Sequence, residues 1–425
     1  MEPRQVLSVD EIDLSSAEFW ARPLAERDGA FLTLREQRPV SFHHEPEARH
    51  AMLPPGPGYW SLTRHADVVE ASRTPEVFCS GKGSNIGDLP EAFLESFGSM
   101  INTDAPRHKH LRNIVSRGFT PRMIRKAEQN VRQSAARIVD AVIDRGECDF
   151  VTEVAARLPL EIICDMMGIP ASQTDFVFDR SNVILGFNDP EYVPDGEIEN
   201  VLAALLTAGK DLSDLAMELG RERRKNPSDD LTSALVNAEF DGEYLTDQEL
   251  GSFFVLLAVA GNETTRNAIS HGLLALTQYP EQRARWQADF AGVTPTAVEE
   301  IVRWATPVIH FRRTATRDTE IGGQKIREGE KVVLWYCAAN RDPAVFEDPF
   351  RFDVLRTPNE HVGFGGPGPH HCLGAHLARR EIALMFDELF RRIPDIEATG
   401  EPEWLYSYFI HGIKHLQCTF TPGGA

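Results

Sequence analysis

The stretch from Thr246 to Gln278 constrains the fold more than any other part of the chain. It opens on Thr246-Asp-Gln-Glu249, a capping box in which threonine caps the helix and glutamate sits at the third position. It stops before Tyr279-Pro280, where proline disfavours helix in the residue ahead of it. Roughly 32 residues at about 1.5 Å each predict a rod near ~48 Å, enough to cross the molecule. Its best apolar run, Phe253 to Ala260 (FFVLLAVA), falls well short of a membrane span and reads as a buried spine. Whatever lies at the middle of that spine is central.

Helical periodicity dominates from about residue 121 to 305, broken at Gly168-Ile-Pro170, Asn188-Asp-Pro190 and Asn226-Pro227. Short β-like runs occur near Tyr59–Thr63, Thr319–Ile326, Lys331–Trp335 and Ile413–Phe420, and His43–Gly58 reads as a surface loop. The expectation is a mainly α fold with small β-sheets. No polar linker is long enough to divide the 425 residues, so one domain, 1–425, is expected.

Charge narrows the partners. Lys plus Arg is 44 against 64 Asp plus Glu, a net of −20, which argues against nucleic acid or an anionic membrane. Six cysteines (79, 148, 164, 337, 372 and 418) contain no CxxC pair, which argues against a disulfide framework and a Cys-rich zinc site. The opening MEPRQVLSVDEIDLSS lacks the basic-then-apolar order of a secretion signal. A cytoplasmic enzyme without a membrane span is expected.

Four local patterns carry chemistry. The middle of the long helix reads Ala260-Gly261-Asn262-Glu263-Thr264-Thr265. Glycine costs about 1 kcal/mol inside a helix, but small residues let a ligand lie against it and leave room for a local widening. An acid beside an alcohol suits a proton relay to that ligand; the bland alternative is a tolerated glycine beside a solvated polar patch. Glu300-Ile-Val-Arg303 is either a surface pair or an inward guanidinium that holds a later loop by bidentate bonds. Residues 105–127 hold seven Lys or Arg and no acid, with His108 and Arg112 on one helical face, suited to an anionic group or simply to solvent.

The fourth is HVGFGGPGPHHCLGAHLARRE, His361 to Glu381, where Cys372 follows Gly363, Gly365, Gly366 and Gly368 and precedes a helix start at Leu373-Gly374. Cysteine at a helix N-terminus gains from the helix dipole, which favours thiolate. Three readings compete: a structural cysteine, a nucleophile served by His370 or His371, and a thiolate ligand to haem iron.

Taken in chain order, these patterns and the pair Arg312-Arg313 resemble the cytochrome P450 haem-thiolate monooxygenases over essentially the whole chain. The resemblance implies haem b (iron protoporphyrin IX) with Cys372 as the iron ligand, Glu263 and Thr264 delivering protons toward bound O₂, and Glu300–Arg303 supporting the Asn340–Asp353 segment. It implies His108, Arg112, Arg313 and His370 as partners of the haem propionates, with Arg312 the alternate one register away. Ala260, Gly261, Phe364, Gly365, Gly368 and Gly374 become cofactor neighbours. The common family pattern has Phe seven residues before Cys; here Gly365 stands there and Phe364 comes one earlier. LPLEIICDMMGIP, AVAGNETTRNAISHG, LWYCAANRD and FIHGIK are similar to the branch of methyl-branched-lipid ω-hydroxylases and steroid side-chain hydroxylases. That implies a long apolar substrate oxidised at a branched terminus.

Substrate-facing candidates are Leu256, Val259 and Ala260, then Val308, Ile309 and Phe409, with Gly81–Gly98 and Gly186–Gly196 as candidate gates. No flavin or nicotinamide fingerprint is evident, so a ferredoxin with a NAD(P)H-dependent reductase is the expected electron source, docking near Arg107–Arg125 and Arg379–Arg380. A peroxide-driven peroxygenase would not need Glu263-Thr264. A haem protein without turnover, or one acting on another small hydrophobic metabolite, is the remaining alternative.

Overall fold

The computed structural model describes residues 2–45, 56–88, 100–118, 121–186, 189, 191–192, 198–240 and 242–423. The long helix spans Asp247–Gln278. The Thr246 side chain accepts from Glu249 N, and the Glu249 side chain accepts from Thr246 N at 3.0 Å, so the expected cap is formed from both sides. At the far end Tyr279 leaves the helix (φ −124°, ψ 71°) and Pro280 begins the next one, Pro280–Ala288. The helix is α throughout Ala260–Thr265, so the room that the small residues leave is not used for a local widening; the one π turn among the described residues is Val151–Ala155.

This helix is packed against Arg157–Met167, Ile198–Lys225, Phe290–Ala305 and Ala375–Arg392. Their apolar faces merge into the largest core, which includes Ile163, Phe254, Ile269, Ile301 and Phe386. Burial of such faces, at about 25 cal/mol per Å² of apolar surface, is what fixes these helices on one another.

A five-stranded sheet lies beside the helical body in the order Val40–His43, Tyr59–Leu62, Lys331–Trp335, His310–Ala315, Phe78–Cys79. Lys331–Trp335 runs parallel to Tyr59–Leu62 and antiparallel to His310–Ala315. The strand His310–Ala315 had no counterpart among the expected β-like runs because its HFRRTA sequence carries two adjacent arginines. Alternation explains them: consecutive side chains on a strand point to opposite faces, so Arg312 and Arg313 serve different neighbourhoods. Among the described residues no helix is long and apolar enough to cross a membrane.

Candidate active site

The middle of the central helix departs from its surroundings. Most of its residues are buried, yet Leu256, Leu257, Val259, Gly261 and Thr264 are partly open and Ala260 is exposed. Positions 256, 260 and 264 share a face with 257 and 261, so the opening is a continuous strip. Cys372 is also open, although protein atoms crowd it enough that burial is the main influence raising its thiol pKa. Gly374 and Ala375 N–H groups and the cations Arg112 and Arg379 work the other way and favour thiolate. The helix after Cys372, Ala375–Arg392, packs on the central helix, and its Glu381 hydrogen-bonds Thr265. The two openings thus lie on elements that pack together, and they outline the candidate cleft.

The Cys loop is held from several sides. Cys372 N donates to Phe364 O at 2.9 Å, and the Arg379 guanidinium covers the Phe364 ring at 4.4 Å. Arg379 and His361 also grip Glu299; although burial opposes it, these bonds bring the Glu299 carboxyl down to about 2. Gly365 adopts φ +85°, and a Cβ on Gly368 would run into the Ser72 carbonyl. Packing against the helix His65–Arg73 therefore accounts for glycine at 368. At Gly261 a Cβ would meet only the terminal methyl of Ile163, a flexible side chain that can give way. A Cβ on Gly374 would meet only Cys372 Sγ, at 4.0 Å, an ordinary contact.

A cationic group lies at one edge. The His108 and His370 rings are 4.1 Å apart. Burial, then Arg313, His108 and Arg112, holds His370 down at about 3; burial and Arg112 lower His108. The carboxylate acting on His108, Asp104, is committed to the N–H groups of Ser80 and Gly81. Arg112 donates to His371 O at 2.7 Å, which gives His371 a backbone role.

Arg312 does not join this group. It turns to the opposite face and binds Asp88 and the carbonyls of Lys82 and Ile86, so the alternate register is not adopted. Lys331 shares Asp88 and adds Glu45, making a buried clamp on the segment before residue 89. Ile309 is likewise not on the cleft: it is buried under the N-terminal helices with Trp20, Phe31 and Trp335. Val308 and Phe409 are partly open, and their segments are tied by Ile309 N to Phe409 O and His411 N to Pro307 O. Of the candidate gates, residues 89–98 and 187–188, 190 and 193–196 lie outside the described residues.

Glu263 is 2 % exposed and accepts from Arg266 and from Asn267 Nδ2 at 3.1 Å. Thr264 Oγ1 donates to Ala260 O at 2.7 Å. Glu300 and Arg303, both 0 % exposed, form a bidentate pair at 2.7 and 2.8 Å, and Arg303 also donates to the carbonyls of Asn340, Pro349 and Arg351. Sequence reasoning missed Arg266, although Glu263-Thr-Thr-Arg266 repeats the Glu-x-x-Arg spacing. It also missed Glu381, a buried carboxyl pushed up to about 8 by burial.

A family model for cytochrome P450 matches residues 94–393, and the chain belongs to that family. It is a cytochrome P450 monooxygenase. The chain is 51% identical over 423 residues to a methyl-branched lipid omega-hydroxylase of Mycobacterium tuberculosis, covering 99% of this chain and 97% of that one. It is 44% identical over 372 residues to a steroid C26-monooxygenase of Mycolicibacterium smegmatis, covering 86% and 84%. A Mycobacterium marinum cytochrome P450 solved in complex with pseudoionone superposes with a TM-score of 0.92 at 47% identity, over 98% of this chain and 100% of that one.

The family's cofactor is haem, and the residues present fit it. A flat apolar group with one metal and two carboxylates needs a thiolate donor, an apolar face and an anion site. Cys372 with its two N–H donors, the Ala260–Thr264 end of the strip and the His108–Arg112–Arg313–His370 cluster would supply these three.

Proposed function

We propose that this monooxygenase hydroxylates the terminal methyl group of a methyl-branched lipid. The observation that carries the reading is the apolar strip Leu256–Leu257–Val259–Ala260, which suits an extended hydrocarbon, and the likeness to the methyl-branched lipid omega-hydroxylase supplies the direction. Haem, when bound, supplies the activation of O₂ and the oxidation of the C–H bond. Cys372 holds the iron as thiolate, with Gly374 and Ala375 N–H groups tuning the sulfur. His108, Arg112, Arg313 and His370 hold the propionates, and the two histidines become easier to protonate once anions face them.

Val308 and Phe409 close the substrate side, so that only a narrow chain end reaches the reacting position. Glu263 carries protons inward and Thr264 passes them on, which requires Thr264 Oγ1 to exchange its bond to Ala260 O. Electrons come from a ferredoxin reduced by a NAD(P)H-dependent reductase. Arg107, Arg132, Arg379 and Arg380 are already paired with Glu243 and Glu249, Glu128 and Asp387, Glu299, and Glu128 respectively. Exposed Lys109 and Arg125 are therefore the better docking candidates in the basic stretch. The whole works as one cytoplasmic domain.

The second reading, hydroxylation of a steroid side chain, is favoured by the 44% identical steroid C26-monooxygenase. Titrating the haem spectrum with methyl-branched acids, isoprenoids and sterols, then analysing products from a surrogate ferredoxin system, separates the two. A tight spectral shift and ω-hydroxy product with branched acids are expected. Product from sterols alone replaces the first reading with the second.

A further inference from the structure

Asn262 precedes Glu263 and is 1 % exposed, yet neither Oδ1 nor Nδ2 has a partner among the described residues. One turn further on the same face, Arg266 is also buried, and its Nε is without a partner. The other nitrogens of Arg266 are engaged, one by Asn182 Oδ1 at 3.3 Å and one by Glu263. Buried polar groups are paired in native proteins, with protein or with ordered water. An acceptor and two donor groups on one buried face suit a ligand that both donates and accepts. That description fits water and excludes a bare cation or anion.

We propose that Asn262, Arg266 and Asn182 build an internal water site that supplies protons to Glu263. The inference rests on the reading of Glu263 as the acid of the proton relay. Arg266 and Asn267 both bond Glu263 Oε1, which leaves Oε2 to exchange a proton. After Glu263 gives up its proton, the site water passes one of its protons to Oε2 as it takes up another from solvent, so one O–H bond breaks while two form and no hydroxide is left behind. The incoming proton arrives on the Asn182 side, where the half-buried helix Thr174–Leu185 meets the central helix. Tyr192 borders this side: burial pushes its hydroxyl up to about 12, and Arg266 and Glu263 both act on it. No oxidant or reductant enters the step.

Asn262→Leu, close in shape and apolar, separates a wet site from a dry one. Leucine relieves a dry orphaned amide, and the melting temperature of the haem-loaded protein would then rise. A site water that loses Asn262 leaves Arg266 Nε unmet, and a fall of about 1–3 °C is expected. In ferredoxin-driven turnover, product per electron should fall about tenfold with a larger solvent deuterium isotope effect, short of the ~10²-fold loss expected of Glu263→Gln. A high-resolution structure of the wild-type enzyme should show a water bonded to both Asn262 and Arg266 Nε. A rise in melting temperature, or that space dry, overturns the proposal. Normal coupling in Glu263→Gln overturns the relay reading itself, whereas impaired Glu263→Gln with unchanged Asn262→Leu removes only the water site. Should Asn262→Leu not fold, Asn182→Leu and the wild-type water decide.

Discussion

Two buried Glu-x-x-Arg pairs stand on neighbouring helices, and they are finished differently. Glu300 accepts from Arg303, Arg356, Asn359 and Asp353 N, and every nitrogen of Arg303 is bonded. Among the described residues Glu263 accepts from Arg266 and Asn267 alone, Arg266 keeps an unmet Nε, and Asn262 beside them is unmet altogether. The same spacing thus builds a saturated knot in one place and an incomplete network in the other. Saturation suits a group that must never move, because a buried pair that loses one partner leaves an uncompensated charge. Incompleteness suits a group that must exchange partners.

The largest effect should come from breaking the knot. Glu300→Gln or Arg303→Met should cost about 3–5 kcal/mol, seen as a collapse of denaturant midpoint and little haem-loaded protein. Glu263→Gln also strips a buried guanidinium of its carboxylate but disturbs fewer bonds, Arg266 and Asn267 alone donating to it among the described residues, and should cost less, about 1.5–3 kcal/mol, in the same denaturation. Equal losses would erase the contrast between the two pairs.

A third carboxyl sharpens it, because among the described residues no cation pairs with Glu381. It is 2 % exposed, its Oε1 is without a partner among those residues, and burial raises its pKa from 4.5 to about 8. A raised carboxyl binds its proton more tightly in the folded state, so its stability is fully present below 4.5 and is lost as pH rises toward about 8. Glu381→Gln should therefore gain on the wild type across that window and gain no more above it, as melting temperatures against pH will report. The smallest effects belong to exposed charges. Lys109→Gln and Arg125→Gln should leave stability within ~0.5 kcal/mol while weakening ferredoxin-driven turnover and flattening its salt dependence.

Much of the site was legible because it is written in local spacing. The capping box at Thr246, the break at Tyr279-Pro280 and the glycines before Cys372 each follow from backbone rules that act within a few residues. Which of Arg312 and Arg313 faces the cluster was left open by one register, because a strand sends adjacent side chains to opposite faces and only the finished sheet shows which face meets which neighbour. Ile309, just before that strand, was misplaced because its neighbours Trp20, Phe31 and Trp335 are not local in sequence. Glycine at 368 also answers to the Ser72 carbonyl, distant in sequence, which a Cβ would meet. Asn262 and Glu381 stayed hidden for a related reason: an unpaired buried polar group is defined by what fails to reach it.

The central claim is that Cys372 is the thiolate ligand of a haem. It is tested most directly by the carbon monoxide difference spectrum of the reduced protein beside that of Cys372→Ala. The wild type should show the red-shifted thiolate band, and Cys372→Ala should lose it. A colourless wild type, or a variant that keeps the band, would contradict the account.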